Sequence, residues 1–456
     1  MNWGREMWNR QLRYRIVVWS GLMCGICAAP WMLSSAAIAQ QPQDTSVESG
    51  QTSKPDAEPN SKPESQKVKS RRPDFFDTPT DFSTPPEIPK SIEGPSPSEI
   101  QDSIDNGVRF LLETQNPDGS FGSHVSKRIG EVFAPVPGSH HAFRGATTAL
   151  AVSSLIECKP DDPEVQKSVQ AAKKWIFEKF GKIKRAQGDT IYNVWAHAYG
   201  IQALVKLKSV DGQSDEDTKR LDELIRLQIE MLVKFESIDG GWGYYDFLAQ
   251  GRKPTSSSIS FVNATVLIAF KEAQEAGFEI PEKIVKRAYD AIERQQKPDF
   301  TYLYGEYLKT MPMRGINRPG GSLGRSQACN LAMRLWGDEK ITDNVLKSWL
   351  YRLYLRNGWL GIGRKRPIPH EAWMQVAGYF YYYGHYYAGL TIDQLRPEDR
   401  DEYRKLLASI IIKHQEPNGC WWDYTLYSYH RQYGTAFALM TMQRCLPEES
   451  PQPNTE

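Results

Sequence analysis

Two kinds of helical pattern alternate along the chain. One keeps its apolar residues on a single stripe, as in Val108, Phe110, Leu111 and Leu112, or in Val165, Val169, Ala172 and Ile176. The other is apolar and small on most faces, as in Gly145-Ala146-Thr147-Thr148-Ala149-Leu150-Ala151-Val152. A striped helix covers a core, whereas a helix that is apolar all round is itself buried. The pattern therefore predicts hairpins, each an outer amphipathic helix followed by an inner buried one. Ser98-Glu99-Ile100-Gln101 has the form of a capping box for the first outer helix, and Asp162-Pro163 opens the second with proline at its first position. The second outer helix pairs with Tyr192 to Leu207, and Leu221 to Phe235 pairs with Phe261 to Ala273. The helix opened by Pro281 pairs with Ser326 to Trp336, Val345 to Leu355 with Glu371 to Leu390, and Tyr403 to His414 with Tyr433 to Arg444. That is about six hairpins, spaced by roughly 50 to 70 residues.

A short phrase ends several outer helices: glutamine, three residues, glycine, one residue, an aromatic. Gln115-Asn116-Pro117-Asp118-Gly119-Ser120-Phe121 returns as Gln415-Glu416-Pro417-Asn418-Gly419-Cys420-Trp421, and Glu236 to Trp242, with Gly240, carries glutamate in the first slot. Gln296-Lys297-Pro298-Asp299-Phe300 lacks the glycine, and Asn357-Gly358-Trp359 is a shorter copy. The glycine supplies the left-handed residue that stops a helix, and the aromatic folds back as a wedge. The first and last copies are the best matches. An open superhelix needs atypical end caps, so two good ends favour a closed ring with an inner barrel of about six helices.

The phrase from Phe110-Leu111 through Gln115, Gly119 and Phe121 resembles the glutamine–tryptophan repeat of squalene-hopene cyclases and other triterpene cyclases. Tyr433-Gly434-Thr435-Ala436-Phe437-Ala438-Leu439 resembles the inner-helix repeats that those cyclases share with the β subunits of protein prenyltransferases. The resemblance runs from about Ser98 to Cys445 and implies an all-α fold, the (α/α)6 toroid. It does not carry the reaction, because one fold hosts many sites.

Outside the repeats the chain changes character. Arg5, Arg10, Arg13 and Arg15 precede an apolar run from Ile16 and a small-residue exit at Ala37-Ile38-Ala39, so residues 1–39 read as an export signal or an uncleaved anchor. Residues 40–97 are rich in Pro, Ser, Gln, Lys and Asp and read as a disordered tether, the toroid spans 98–447, and 448–456 form a disordered tail. The expected location is periplasmic, secreted, or membrane-associated on the outer side. The net charge of +1, with dispersed basic residues, gives no nucleic-acid footprint. Cys158, Cys329, Cys420 and Cys445 lack paired spacing and read as lone buried thiols.

The chemistry that this resemblance implies elsewhere is missing its residues here. Cyclases of the squalene type protonate an alkene with an Asp-x-Asp-Asp cluster at the mouth of an inner helix, and no inner helix here opens that way; Asp215-Glu216-Asp217 precedes an outer helix and reads as a solvated helix start. The prenyltransferase zinc needs Asp, Cys and His. His430 resembles its histidine, but the Asp-x-Cys is absent, and Cys420, Asp423 and His430 match no strong metal spacing. No metal or cofactor is expected. The Cys-Gly-Glu-Gln of complement-type thioester domains is absent too.

The remaining candidates are aromatics and loop carboxylates. Trp373, Tyr379, Tyr382, Tyr383, Tyr386 and Tyr387 crowd one inner helix, with His385 among them. They either fill helix interfaces or line a central cavity that holds a hydrophobic or flat ligand. Asp246 and Asp423, on loops at one rim, are weak candidates for a glycosidase or lyase pair, with His430 beside them. His197 and His370 read as satisfied core histidines, and Arg318 to Arg325, rich in glycine, reads as a loop at the rim. The leading expectation is a noncatalytic binding or scaffolding domain for a hydrophobic small molecule, peptide or protein partner. The alternatives are a divergent terpenoid cyclase or transferase, or a carbohydrate-active toroid.

Overall fold

The computed structural model describes residues 81–90, 92–125, 138–246, 251, 253–255 and 258–448. The chain divides into two units, Met1–Arg71 and Arg72–Glu456, and every described residue belongs to the second. The expected export signal, most of the expected tether and the tail after Glu448 lie outside the described residues. Among the described residues there is no strand, only isolated bridges between loops.

Six outer helices are α1 (Pro97–Glu113), α3 (Pro163–Lys179), α5 (Asp215–Lys234), α7 (Glu282–Glu293), α9 (Asp343–Leu355) and α12 (Pro397–Ile411). The inner six are α2 (Ser139–Cys158), α4 (Asn193–Ser209), α6 (Ser260–Glu275), α8 (Pro319–Leu335), α11 (Phe380–Asp393) and α13 (His430–Cys445). Helix α10 (Asn357–Gly361) is a short extra turn. The inner helices pack in a circuit: α2 on α4, α4 on α6, α6 on α8, α8 on α11, α11 on α13, and α13 back on α2. The first outer helix, α1, packs on the last inner one, so head meets tail. This is a closed (α/α)6 toroid, as the two alternating patterns require. Most residues of the inner helices are buried, while each outer helix buries one stripe.

The repeated phrase is the joint between hairpins. In four copies the same two backbone bonds close the turn: Asn116 N to Ser120 O, Ser237 N to Gly241 O, Lys297 N to Thr301 O and Glu416 N to Cys420 O, at 2.8–2.9 Å, each enclosing a second bond from the N–H of the residue in the glycine slot. The glutamine then reaches across. Gln115 Nε2 donates to Gly119 O and to Ser168 O on α3, and Gln415 Nε2 donates to Gly419 O and to Ser103 O on α1. Glu236 cannot donate, so the bond reverses: Arg287 on α7 donates Nε to the carboxylate and Nη2 to Ser237 O. The wedges Phe121, Trp242 and Trp421 are fully buried, and Trp242 and Trp421 donate their indole N–H to Leu232 O and Ile411 O, each at the end of the preceding outer helix. In the copy without glycine, Phe300 itself takes the left-handed conformation, at φ 57°, and Tyr302 is the buried wedge.

Several expectations are corrected. The first capping box is made by Ser96 and Glu99, not Ser98 and Gln101, because Pro97 occupies the first helical position and the cap must precede it. Helix α8 begins at Pro319, so the glycine-rich stretch is helical rather than a loop. Its glycines serve close packing: a Cβ on Gly384 would lie 2.6 Å from Gly324 Cα, where α11 crosses α8. Asn357-Gly358-Trp359 forms α10 and not a phrase turn; Gly358 touches nothing within 4 Å of a built Cβ, and Trp359 is buried near Gly320. Helix α11 begins only at Phe380, because His370, Met374 and Gln375 adopt left-handed backbone upstream. Residues 81–90 and 92–96, expected to belong to the tether, lie against the outer helices and their turns: Phe82 meets Phe300 edge-on at 4.9 Å, Ser83 O accepts from Asn344 on α9, and Gly94 abuts Lys405 on α12.

Candidate functional site

Every inner helix starts at the same end of the barrel, since each follows a turn from an outer helix that runs the opposite way. We call this end the mouth. The residue two places after three of the four wedges comes to it: Tyr244 after Trp242, Tyr304 after Tyr302, and Asp423 after Trp421. Around them stands a chain of phenols. Tyr192 and Tyr245 share a hydroxyl hydrogen bond, as do Tyr244 and Tyr304; Tyr304 and Tyr379 are 3.2 Å apart, and Tyr379 lies 3.0 Å from His370 Nε2. Gln375 O accepts from His370 Nδ1 at 2.8 Å, so Nε2 is left to accept from Tyr379. Burial holds His370 below the usual imidazole range and keeps it neutral. Tyr192 and Tyr244 stack at 5.7 Å, and the Trp195, Tyr244 and Phe261 rings lie within 6.4 Å of one another.

Below the mouth the barrel axis is filled. Tyr383 OH donates to Phe261 O at 2.9 Å and sits 3.0 Å from Thr265 Oγ1, joining α11 to α6 across the ring. Tyr387 OH donates to Thr265 Oγ1 at 3.1 Å. Tyr199 from α4 and Tyr386 from α11 both pack on Phe437 of α13, at 5.8 and 5.2 Å. Tyr383, Tyr386 and Tyr387 are 5%, 2% and 0% exposed. These three expected cavity residues therefore plug the barrel instead of lining an open chamber. Tyr379 belongs to the mouth. Tyr382 is buried against Tyr381 and shares none of the contacts that cross the axis. Trp373 is not on the inner helix at all: it lies in a short 3-10 turn, 44% exposed, with its ring 5.7 Å from Trp359.

The loop carboxylates are held by separate partners. Asp246 is buried; Arg185 Nη2 donates to Oδ2 at 2.8 Å, and Thr255 donates both its N–H and its hydroxyl to Oδ1. Asp423 is buried as well; Oδ2 accepts from Tyr382 N at 3.0 Å and Oδ1 from Tyr433 OH at 3.1 Å. Burial pushes its carboxyl up to about 7, against the pull of those donors. The two aspartates share no hydrogen-bond partner. His430 opens α13 with its ring edge-on to Trp422 at 5.2 Å. His197 is a satisfied core histidine, bonded to Gln228 and Asn193, with burial pushing it down to about 4. Among the described residues no three His, Cys, Asp or Glu side chains gather where a metal ion fits. Among the described residues, Cys158, Cys329, Cys420 and Cys445 are free and buried.

Sequence reasoning missed Tyr192, Tyr304 and Arg325. The fourth phrase copy held the signal for Tyr304, had Tyr302 been aligned with Trp242. Arg325 is buried, and among the described residues no carboxylate meets it: its guanidinium donates to Tyr302 O, Gly321 O and Ile316 O and lies 5.7 Å from the Tyr304 ring. It puts an unneutralised positive charge beneath the phenols, and burial pushes its pKa down to about 10.

No protein-family model matches the chain. No curated protein matches it either. Among solved structures, the chain is similar to the type II terpene cyclase MstE from Scytonema, at 13% identity over 77% of this chain and 99% of that one, with a TM-score of 0.45. It is similar to the GH76A alpha-1,6-mannanase from Salegentibacter sp. HEL1_6 at 12% identity, covering 76% and 98%, with a TM-score of 0.48. It is also similar to Salmonella alpha-2-macroglobulin reacted with methylamine, at 12% identity over 59% of this chain and 17% of that one, with a TM-score of 0.33. Likenesses this distant say nothing about function, and the toroid stands on the circuit of helix contacts alone.

Proposed function

We propose that the chain is a noncatalytic binding or scaffolding domain, a filled toroid that uses its aromatic mouth and rim to hold a partner. The observation that carries this reading is the plugged axis. A toroid that encloses its substrate needs a chamber, and here Tyr199, Tyr383, Tyr386, Tyr387 and Phe437 occupy that space: Tyr383 and Tyr387 bond Thr265, and Tyr199, Tyr383 and Tyr386 pack on Phe437 across it. The rim carboxylates support it as well, since Asp246 staples two loops and Asp423 receives the N–H of α11's third residue. One feature favours the enzyme reading: Asp423 is a buried carboxyl that keeps its proton to about pH 7, as an acid catalyst must. Both of its oxygens, however, already face donors. The same proposal places the protein outside the cytoplasm, on the strength of its basic and apolar leader.

The test is turnover. The full chain is incubated with squalene and, separately, with an α-1,6-linked mannan, beside the Asp423→Asn and Asp246→Asn variants, and native mass spectrometry is run on protein gently extracted from its own cells. We expect no product above the variants and no bound zinc or polyprenoid. Product that disappears in either variant, or a stoichiometric polyprenoid or zinc, sinks the noncatalytic reading.

A further inference from the structure

Two loops at the mouth build an exposed ledge that nothing in the barrel requires. Residues 306–318 lead into α8, and residues 362–379 lead into α11. Gln375 holds them together: its Oε1 accepts from Arg314 Nε and from Ile316 N, both at 3.3 Å. On this ledge Tyr307, Met311, Met313, Ile368 and Trp373 are 44–65% exposed. Trp373 is set out by its backbone. Its neighbours Ala372 and Met374 are 7% and 8% exposed, and Met374 and Gln375 adopt left-handed φ of 59° and 54°. Such a conformation costs a non-glycine residue on the order of 1 kcal/mol or more. The strain turns Met374 inward, against Gly320, and leaves Trp373 part-exposed beside Trp359.

The charge on the ledge is predominantly positive. Arg314, Arg318, Arg364 and Arg366 belong to it, and among the described residues none of their guanidiniums meets a carboxylate. They reach Gln375, Met313 O, the Tyr381 ring and Ile362 O instead. Lys365 is neutralised by Glu416, and Glu371 is the one exposed acid on the two loops. Tryptophan, tyrosine, methionine and arginine around an apolar centre are the residue types enriched at protein interfaces and their hot spots. Arginine stacked or forked at a rim suits planar carboxylates better than it suits bulk charge.

We infer that this ledge is a docking surface for an acidic segment of a partner protein, which sets an apolar side chain beside Trp373 and its carboxylates against Arg314 and Arg366. The inference rests on the binding reading above and adds the partner's chemistry and its seat. A randomised twelve-residue peptide library, panned on the immobilised full chain, tests it. Trp373→Ala and Arg314→Glu serve as counter-targets; both residues are exposed, and unchanged melting temperatures show that the variants fold. We expect recovered peptides with aspartate or glutamate flanking an aromatic or aliphatic residue. They should bind wild type at least about tenfold tighter than either variant, and the affinity should fall as salt is raised. Recovery of no peptide, or of basic or neutral peptides, overturns the inference. So does Trp373-dependent sedimentation with phosphatidylglycerol vesicles in the absence of peptide selection, which gives the ledge to a membrane. Acidic peptides that bind wild type and both variants alike overturn the ledge but leave the binding domain standing.

Discussion

At the scale of single residues, Asp423 decides between two accounts of the mouth, because one carboxyl can be a reagent or a cap. Helix α11 starts at Phe380 without a capping side chain of its own, and Asp423 supplies the acceptor from a distant loop by taking the Tyr382 N–H. The folded pKa of about 7 lies above the unfolded value of roughly 3.9. The native state therefore holds this proton where the unfolded chain has lost it. The stability it contributes is complete below about pH 4 and is lost as the pH rises through about 7. Asparagine keeps the shape and accepts the same N–H without titrating. We expect Asp423→Asn to gain on wild type by roughly 2–3 kcal/mol between pH 5 and pH 8.5, measured by denaturant unfolding at both values. Parallel stability in the two proteins would show that Asp423 is ionised throughout and is held by its donors. None of this was legible beforehand: the sequence placed Asp423 on a rim loop, and nothing local marks a side chain that caps a helix 41 residues away. His197 was easier, because it sits within an apolar helix where a neutral, bonded ring is the only inexpensive state.

At the scale of elements, the repeated phrase is a clamp between one hairpin and the next, and its glycine is there for closeness as much as for conformation. Gly419 has φ 84°, and an added Cβ would run into the Asn106 carbonyl of α1; Gly119 meets Ala171 of α3 in the same way. Gly277, which ends α6 at φ 88°, has nothing within 4 Å of the built position. The comparison separates the two demands. Gly277→Ala should cost about 1 kcal/mol, the left-handed penalty alone. Gly419→Ala should cost about 3 kcal/mol or more, because backbone must also move. Chemical denaturation of both variants measures the difference, and equal losses would mean that the turn, not the clamp, is what the glycine serves. The clamp was half legible. The spacing of Gln115, Gly119 and Phe121 showed that a unit repeats, but the far partners, Ser168 and Ser103, carry no mark in the sequence, since any residue offers a carbonyl. The start of α8 was misread for a related reason. Glycine signals a loop by propensity, yet Gly324 and Gly384 sit in helices because two backbones need to touch there.

At the scale of the whole molecule, closure and filling come from opposite ends of the barrel. The alternation of striped and all-apolar helices was enough to foretell a closed ring. It could not foretell the plug, because periodicity shows which face turns inward and not how far side chains from opposite helices reach past one another. At the end away from the mouth, charges tie the ring. Arg444 of α13 meets Glu157 of α2 at 2.5 Å and Asp393 of α11 at 3.2 Å, and Lys206 of α4 bridges Glu157 and Glu272 of α6. Five of the six inner helices thus join one network, and Arg444 is the link across the seam where the last inner helix returns to the first. Burial raises the Glu157 carboxyl, but Arg444 and Lys206 outweigh it and hold the group below the usual carboxylate range. Its contribution is therefore present above the unfolded pKa of roughly 4.3 and lost as the pH falls through the native value. Arg444→Met keeps a stem of similar length beside Gly389 and removes the charge. We expect it to cost about 3 kcal/mol at pH 7, since Glu157 and Asp393 stay part-buried with less to pair with. The gap to wild type should narrow below about pH 4, where both carboxyls take up protons. Adding Glu157→Gln to Arg444→Met should recover part of the loss at pH 7. A gap that stays constant down to pH 3 would instead place Arg444's contribution in the packing of its stem, and the seam would then be held by the apolar contacts of α13 with α2 and α1.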